Sequence, residues 1–222
     1  MPVSGNLFLF SPSNPSLHMK YDSRQVYSPE ADTLLLLAAA RAEVRPGDRV
    51  LEVGTGSGLI AAEIARITRV VATDINPHAV LCAGKAGIDV VRTDLFTGIR
   101  GSFALVLFNP PYLPTQPEER IDDWLEYALD GGKSGRAVIE RFARNVGDVL
   151  APGGRILLLI SSLTGLSEVQ ERFAGRNYSA GIAMQQVVED EVLYVLKIIR
   201  KDQDTQDSGI TGTTGTTGPG VV

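Results

Sequence analysis

The stretch LEVGTGSGLIAAEIA, residues 51–65, joins an apolar run to a helix-forming run through three closely spaced glycines, Gly54, Gly56 and Gly58. Glycines let backbone N–H groups approach a ligand at the end of a strand and at the positive start of a helix. The nicotinamide fingerprint G-x-G-x-x-G does not fit, because Leu59 stands where its third glycine belongs, and the Lys-Ser/Thr pair of a P-loop is missing. The stretch predicts a strand–loop–helix unit that binds a ligand through its backbone.

Strand-like and helix-like segments alternate around this loop. The pattern predicts strands over 49–53, 69–75, 89–94, 103–109, 155–161, 182–189 and 191–200. It predicts helices from Ser28, with Pro29 at the first helical position, and over about 58–67, 77–86, 136–150 and 165–175. The early strands are nearly continuous apolar runs, which is typical of a parallel sheet covered on both faces. The predicted fold is α/β: a doubly wound, Rossmann-like, mostly parallel seven-stranded sheet closed by an antiparallel hairpin.

Composition and charge suit one globular domain, with 222 residues of which 44% are hydrophobic and 21% charged. The net charge of −5 disfavours nucleic-acid binding, which usually needs a basic face. The single cysteine, Cys82, excludes an intramolecular disulfide and a cysteine zinc site. The two histidines, His18 and His78, are interpreted as ordinary surface or loop residues, so no metal site is expected.

Domain organisation follows from the same patterns. Residues 1–27 are predicted to be an irregular N-terminal segment, and 28–201 the folded domain. The Gly/Thr-rich tail 202–222 has almost no large apolar groups and is predicted to be disordered. No apolar run is long enough to cross a bilayer and no signal pattern begins the chain, so we expect no membrane association and a cytoplasmic location.

Acidic residues stand at or next to the ends of three successive predicted strands. Glu52 directly precedes the glycine loop, where it would repel a phosphate and favour a cationic, hydroxylated or amino-bearing ligand. Asp74 stands where an acid can accept hydrogen bonds from both ribose hydroxyls, and Asp94 where it could accept from an adenine amino group. Each acid alone could be a capping or turn residue. Together they predict a nucleoside ligand without a phosphate.

The sequence NPPY, residues 109–112, follows the apolar run 103–108 and stops it, since proline cannot continue a strand. Asn109 offers a carbonyl oxygen and Pro110 a main-chain carbonyl, which together can accept both hydrogens of a planar NH₂ group. Pro111 ends the strand, and Tyr112 supplies a flat face for the plane that carries this group. The alternative is a simple turn. The motif predicts methylation of a planar amine but does not separate adenine from glutamine.

The segments EVGTGSG (52–58), ATDINPHAV (72–80) and RTDLF (92–96) resemble the class I S-adenosylmethionine-dependent methyltransferases. The resemblance implies S-adenosyl-L-methionine as the cofactor and a seven-stranded sheet whose last strand is antiparallel. It places the cofactor's methionine portion over the glycine loop, its ribose at one strand end and its adenine at the next. The cofactor-binding residues implied here are Glu52, Gly54, Thr55, Gly56, Asp74, Ile75, Asp94, Leu95 and Asn109.

The segments VYSPEADT (26–33), FNPPYLPT (108–115) and LDGGKSGRAVIERF (129–142) resemble the HemK-like release-factor glutamine methyltransferases, in particular their short archaeal and eukaryotic branch. The resemblance implies that Asn109, Pro110, Pro111 and Tyr112 hold the glutamine amide of a Gly-Gly-Gln loop in a peptide-chain release factor. It further implies that Tyr27 and Thr33 enclose the cofactor. Two departures are the lack of the helical N-terminal domain of bacterial members and the serine at 28, where the short branch commonly has an acid.

The short branch also implies a partner, a small zinc-binding activator that pairs along the predicted strand of residues 89–95. A long apolar edge strand is a liability unless it is covered, so a partner is physically reasonable there. A homodimer contact or cover by the tail would serve the same purpose. Two other functions remain open from the residues alone: methylation of the adenine exocyclic amine in DNA or RNA, and a cofactor-binding scaffold without catalysis.

Overall fold

The computed structural model of this chain describes residues 8–9, 22–116 and 123–201. The predicted disordered tail, His18 and most of the N-terminal segment therefore lie outside the described residues. Among the described residues, no helix combines the length and the apolar character needed to cross a membrane.

Among the residues that the structure describes, eight strands form one sheet in the order β1-β4-β3-β2-β5-β6-β8-β7. The strands are β1 (Phe8–Leu9), β2 (Arg49–Val53), β3 (Arg69–Asp74), β4 (Asp89–Arg92), β5 (Phe103–Phe108), β6 (Leu150–Ser161), β7 (Tyr178–Val188) and β8 (Glu191–Arg200). Strands β2 to β6 run parallel, whereas β8 is antiparallel to both β6 and β7. The predicted parallel sheet and its closing antiparallel hairpin are confirmed.

Helices cover both faces of the sheet. They are α1 (Ala31–Glu43), α2 (Leu59–Ala65), α3 (Pro77–Lys85), α4 (Glu126–Leu129), α5 (Ala137–Asn145) and α6 (Leu166–Ala174). Alternate residues of one strand belong to different cores: in β5, Leu105 and Leu107 pack with α1 to α3, and Val106 and Phe108 pack with α5 and α6. This division explains the nearly continuous apolar runs, because both faces of each central strand are buried.

Several predicted boundaries are wrong. Strand β7 begins at Tyr178 rather than at 182, because its pairing with β8 extends back to Tyr178 opposite Arg200. Helix α1 begins at Ala31 rather than at Ser28, because the backbone is still extended at Glu30, which is the N-cap residue and makes no side-chain cap. The helix predicted over 136–150 is an α-helix only to Asn145 and continues as a 3-10 turn over Val146–Asp148. Strand β6 already begins at Leu150, five residues before its predicted start, where it pairs with Phe103 before a register shift. Sheet pairing across this irregular stretch outweighs the local helical pattern.

The sequence predicted an uncovered sheet edge along residues 89–95, but in the structure the β4 edge is partly covered. Residues Phe8 and Leu9 pair with it in antiparallel register, Phe8 opposite Arg92 and Leu9 opposite Val91. This short pairing adds an eighth strand to the seven predicted ones. Only two of the four β4 residues are covered in this way by described residues.

Candidate functional site

A cavity of about 750 Å³ lies beyond the carboxyl ends of β2 to β5. Parallel strands bring their carboxyl ends to one edge of a sheet, and ligands bind in the crevice outside that edge. All fourteen residues singled out from the sequence line this one cavity: Tyr27, Thr33, Glu52, Gly54, Thr55, Gly56, Asp74, Ile75, Asp94, Leu95, Asn109, Pro110, Pro111 and Tyr112.

The glycine loop between β2 and α2 forms the floor of the cavity. Gly56 has φ +53° and a Cβ added there would meet nothing within 4 Å, so the backbone faces open space at this point. A non-glycine residue would be strained in that conformation and would also fill the space above the loop. The loop therefore suits a ligand that lies directly on the backbone.

Two buried carboxyl groups stand beside the glycine loop. Glu52 Oε2 accepts from the Thr55 hydroxyl over 2.6 Å and from the Ala61 N–H over 3.1 Å. Asp74 accepts from the backbone N–H groups of Gly56, at 2.9 Å, and Asn76, at 2.8 Å. Burial raises the pKa of Glu52 to about 8 and that of Asp74 to about 6. A cationic or hydroxyl-bearing ligand would offset the cost of ionising these acids in the cavity.

Asp94 lies at the far side of the cavity, after β4. Its carboxylate accepts from Arg141 of α5, and both side chains are a little under half exposed. Arg141 also lines the cavity and was not found from the sequence, because nothing in the local pattern connects it with a strand end 47 positions away. Arg141 therefore occupies one oxygen of the carboxylate for which the sequence predicts a hydrogen bond from the adenine amino group.

The NPPY motif is held by a buried carboxylate that the sequence patterns did not indicate. Asp32, which is 4% exposed in the first turn of α1, accepts from Asn109 Nδ2 over 3.0 Å and from the Tyr27 hydroxyl over 3.1 Å. Its other oxygen accepts from the Thr33 hydroxyl over 3.1 Å. Asn109 Oδ1 is buried and has no hydrogen-bond partner among the described residues. An orphaned buried acceptor is costly unless a ligand satisfies it.

The two phenols beside Asp32 are kept protonated. Burial first, and then the charge of Asp32, raise the pKa of Tyr27 and of Tyr112 well above the usual range for tyrosine. Both side chains therefore act as neutral walls and hydrogen-bond donors rather than as proton acceptors. The sequence did offer one signal for this hydrogen-bond network. Asp32 lies in the first turn of a predicted helix, on the face that is buried, and a buried carboxylate requires partners.

Residues 130–132, with the sequence DGG, bind through their backbone to the residues that follow the NPPY motif. Leu113 pairs with Asp130 in a parallel bridge, Gly131 N–H donates to the Leu113 carbonyl over 2.9 Å, and Thr115 N–H donates to the Gly132 carbonyl over 3.1 Å. Glycines, without a side chain, allow a peptide backbone to approach closely. The backbone they admit in the structure is that of the chain itself.

Gly135→Ala should damage the site through Tyr112, because a Cβ at Gly135 would lie 2.4 Å from the Tyr112 carbonyl oxygen and the backbone there has φ +68°. We expect kcat/KM to fall about tenfold and stability to fall by roughly 1–3 kcal/mol. Gly153→Ala is the matched control, since Gly153 has φ +67° with nothing within 4 Å. Thermal unfolding and steady-state kinetics of both variants decide the question: equal activity in the two would contradict the steric argument.

Known proteins resemble this chain over most of its length. A family model described as the methyltransferase small domain matches residues 26–122. A Methanocaldococcus jannaschii protein, whose name describes a protein N5-glutamine methyltransferase, is 38% identical over 79% of this chain and 92% of its own. Human methyltransferase HEMK2 is 34% identical over 79% of this chain and 90% of its own.

A solved structure supports the same grouping. A chain of the E. cuniculi Mtq2-Trm112 complex superposes with a TM-score of 0.68 at 31% identity, over 79% of this chain and 99% of that chain. That complex is described as responsible for methylation of the eRF1 translation termination factor. Its match supports a class I methyltransferase fold for the sheet described above. On these similarities, the chain belongs to the HemK-like family of protein N5-glutamine methyltransferases.

Proposed function

We propose that this chain is an S-adenosylmethionine-dependent methyltransferase that methylates the side-chain amide of glutamine in the Gly-Gly-Gln loop of a peptide-chain release factor. The observation that carries the proposal is the buried, unpartnered Oδ1 of Asn109, whose amide nitrogen is fixed by Asp32. An acceptor held in this way is suited to an N–H donor from outside the chain.

When bound, S-adenosylmethionine supplies an electrophilic methyl group on a sulfonium. The chain's own residues supply position. Asn109 Oδ1 and the Pro110 carbonyl accept the two N–H bonds of the substrate amide, and the Tyr112 ring lies against the amide plane. Holding both N–H bonds favours pyramidal character at nitrogen, which exposes a lone pair that is otherwise delocalised. No strong base is needed, because the proton can leave after transfer, and most of the rate comes from orientation.

The cofactor would lie along the cavity from the NPPY motif to Asp94. Gly54, Gly56 and Thr55 would hold its methionine portion, Asp74 its ribose, and Ile75, Leu95 and Asp94 its adenine. The open space above Gly56 and the two buried acids fit a cationic nucleoside without a phosphate. Tyr27 and Thr33, joined to Asp32, would close the end nearest the substrate.

A partner subunit belongs to this proposal. The E. cuniculi complex contains a Trm112 chain. We infer that a similar small, zinc-binding activator binds this chain at the β4 edge and that the two proteins act in the cytoplasm. A partner strand there would have to displace Phe8 and Leu9, which now pair with Val91 and Arg92. Two residues form a weak strand, so displacement by a longer one is energetically reasonable.

The test is methyl transfer from labelled S-adenosylmethionine with the activator co-expressed. The substrates are a release factor with an intact Gly-Gly-Gln loop, the same factor with the glutamine replaced, and adenine-containing single- and double-stranded DNA. We expect label on the intact factor alone. Label on nucleic acid alone would overturn the substrate and leave a methyltransferase that acts on adenine.

Cofactor affinity should depend on pH. The pKa of Glu52 is raised to about 8 and that of Asp74 to about 6, so between pH 6 and pH 8 Asp74 completes the second half of its ionisation and Glu52 the first half of its own. Ionised carboxylates attract a cationic cofactor, so we expect its affinity to rise by about tenfold over this range. Calorimetry at several pH values measures this effect. Glu52→Gln should flatten the upper part of the plot of affinity against pH. S-adenosylhomocysteine lacks the sulfonium charge, so its affinity should rise less. An affinity for S-adenosylmethionine that does not change with pH would contradict the prediction.

A further inference from the structure

The only tryptophan of the chain, Trp124, lies in the segment that follows the NPPY motif and lines the cavity there. It is half-buried and stacks on Tyr127, with ring centroids 5.3 Å apart and planes at 28°. Tyr127 itself is 54% exposed at the rim. A large aromatic group at the edge of a nucleoside-sized cavity is a candidate ligand contact.

Two separate sets of contacts connect Trp124 with the carboxyl end of β3. Its backbone N–H donates to Gln25 Oε1 over 2.9 Å, and the Gln25 carbonyl in turn accepts from Asn76 Nδ2 over 2.6 Å. Its ring lies 5.3 Å from the guanidinium carbon of Arg92, whose Nε donates to the Ile75 carbonyl over 3.3 Å. One set ends at Ile75, the neighbour of Asp74 in the chain, and the other at Asn76, whose N–H donates to the Asp74 carboxylate. The proposed function assigns Asp74 to the ribose.

We propose that Trp124 is a cofactor-binding residue that covers the nucleoside end of the cavity, with Gln25 and Arg92 as the positioning residues that hold it there. This inference rests on the proposed function only for the identity of the cofactor, not for the substrate. An indole over the ribose and adenine would bury apolar surface and exclude water from that end of the site.

The chain offers a direct readout, because with one tryptophan its emission reports on this position alone. We would titrate the full-length protein with S-adenosylhomocysteine, adenosine and homocysteine, and follow emission while calorimetry measures binding independently. A saturable change with S-adenosylhomocysteine and with adenosine, but none with homocysteine, is expected. Unchanged emission at saturating S-adenosylhomocysteine overturns the proposal.

Variants test how much Trp124 and Arg92 contribute to the affinity for the cofactor. Trp124→Ala should raise the calorimetric Kd for S-adenosylhomocysteine about tenfold and Trp124→Phe about threefold, since the smaller ring keeps part of the cover. Arg92→Ala should raise Kd about threefold alone, yet add nothing in the Trp124→Ala background if it acts through the indole. Arg49→Ala is the matched control: its guanidinium lies 5.1 Å from the Phe103 ring at the opposite end of the sheet, and Kd should not change.

The outcomes separate this inference from the proposed function. Wild-type Kd in the Trp124→Ala variant overturns the role of Trp124, whether or not the release factor is methylated. A chain that binds cofactor with the expected emission change but leaves the release factor unlabelled loses its proposed substrate and keeps this site. Additive effects of Arg92→Ala and Trp124→Ala would remove Arg92 as a positioning residue.

Discussion

Replacing Asn109 by alanine should lower kcat for release-factor methylation by roughly a hundred- to a thousandfold, the loss that follows removal of one aligned polar group at a reacting centre. The physical reason is the buried Oδ1, which has no partner among the described residues and is therefore available to the substrate amide. Because this contact aligns the reacting nitrogen, its loss should appear mainly in kcat.

Cofactor binding provides the internal control for this variant. The glycine loop and Asp74 do not depend on the Asn109 side chain, so loss of the cofactor contact expected for Asn109 should raise the Kd for S-adenosylhomocysteine, measured by calorimetry, far less than kcat falls. Turnover that stays at the wild-type level would contradict the amide-clamp mechanism. Equal losses in turnover and in cofactor affinity would instead indicate that the cavity had collapsed.

The parts of the site that could be predicted from the sequence are those with local rules. Glycines after an apolar run predict a backbone loop, and acids at the ends of parallel strands must converge at one edge of the sheet. These rules predict that Glu52, Gly56, Asp74 and Asp94 lie close together, and all four line the same cavity. The same rules place Asn109 at the end of the next strand.

The parts that were missed depend on contacts between distant segments. Asp32 meets a side chain 77 positions away, and Trp124 meets Gln25 across 99 positions. Capping rules favoured a helix start at Ser28, whereas the helix begins only after the extended residue Glu30, and the Tyr27 hydroxyl donates to Asp32. Tertiary contacts here outweigh a preference worth only about 1 kcal/mol.

Asp32→Asn should be nearly as damaging to turnover as loss of Asn109, although it changes no volume. Asp32 now accepts from the Asn109 amide nitrogen over 3.0 Å and so fixes which end of that amide faces the substrate. If the new amide keeps its oxygen toward Thr33, which donates to the carboxylate at present, its NH₂ group meets the NH₂ group of Asn109. Asn109 then turns over and presents donors to a substrate that needs acceptors. We expect kcat to fall by about a hundredfold, with cofactor affinity nearly unchanged.

The exchange Asp32→Asn with Asn109→Asp separates this orienting role from a general loss of structure. In the double variant the new amide donates to one oxygen of the carboxylate at position 109, and the other oxygen again faces the substrate as an acceptor. Asn109→Asp alone would instead bring two buried carboxylates within about 3 Å, where both cannot be ionised at once. The double variant should therefore recover about tenfold in kcat over either single variant, a coupling that independent effects would not produce. Activities that multiply as independent losses would mean that Asp32 supports the fold without orienting Asn109.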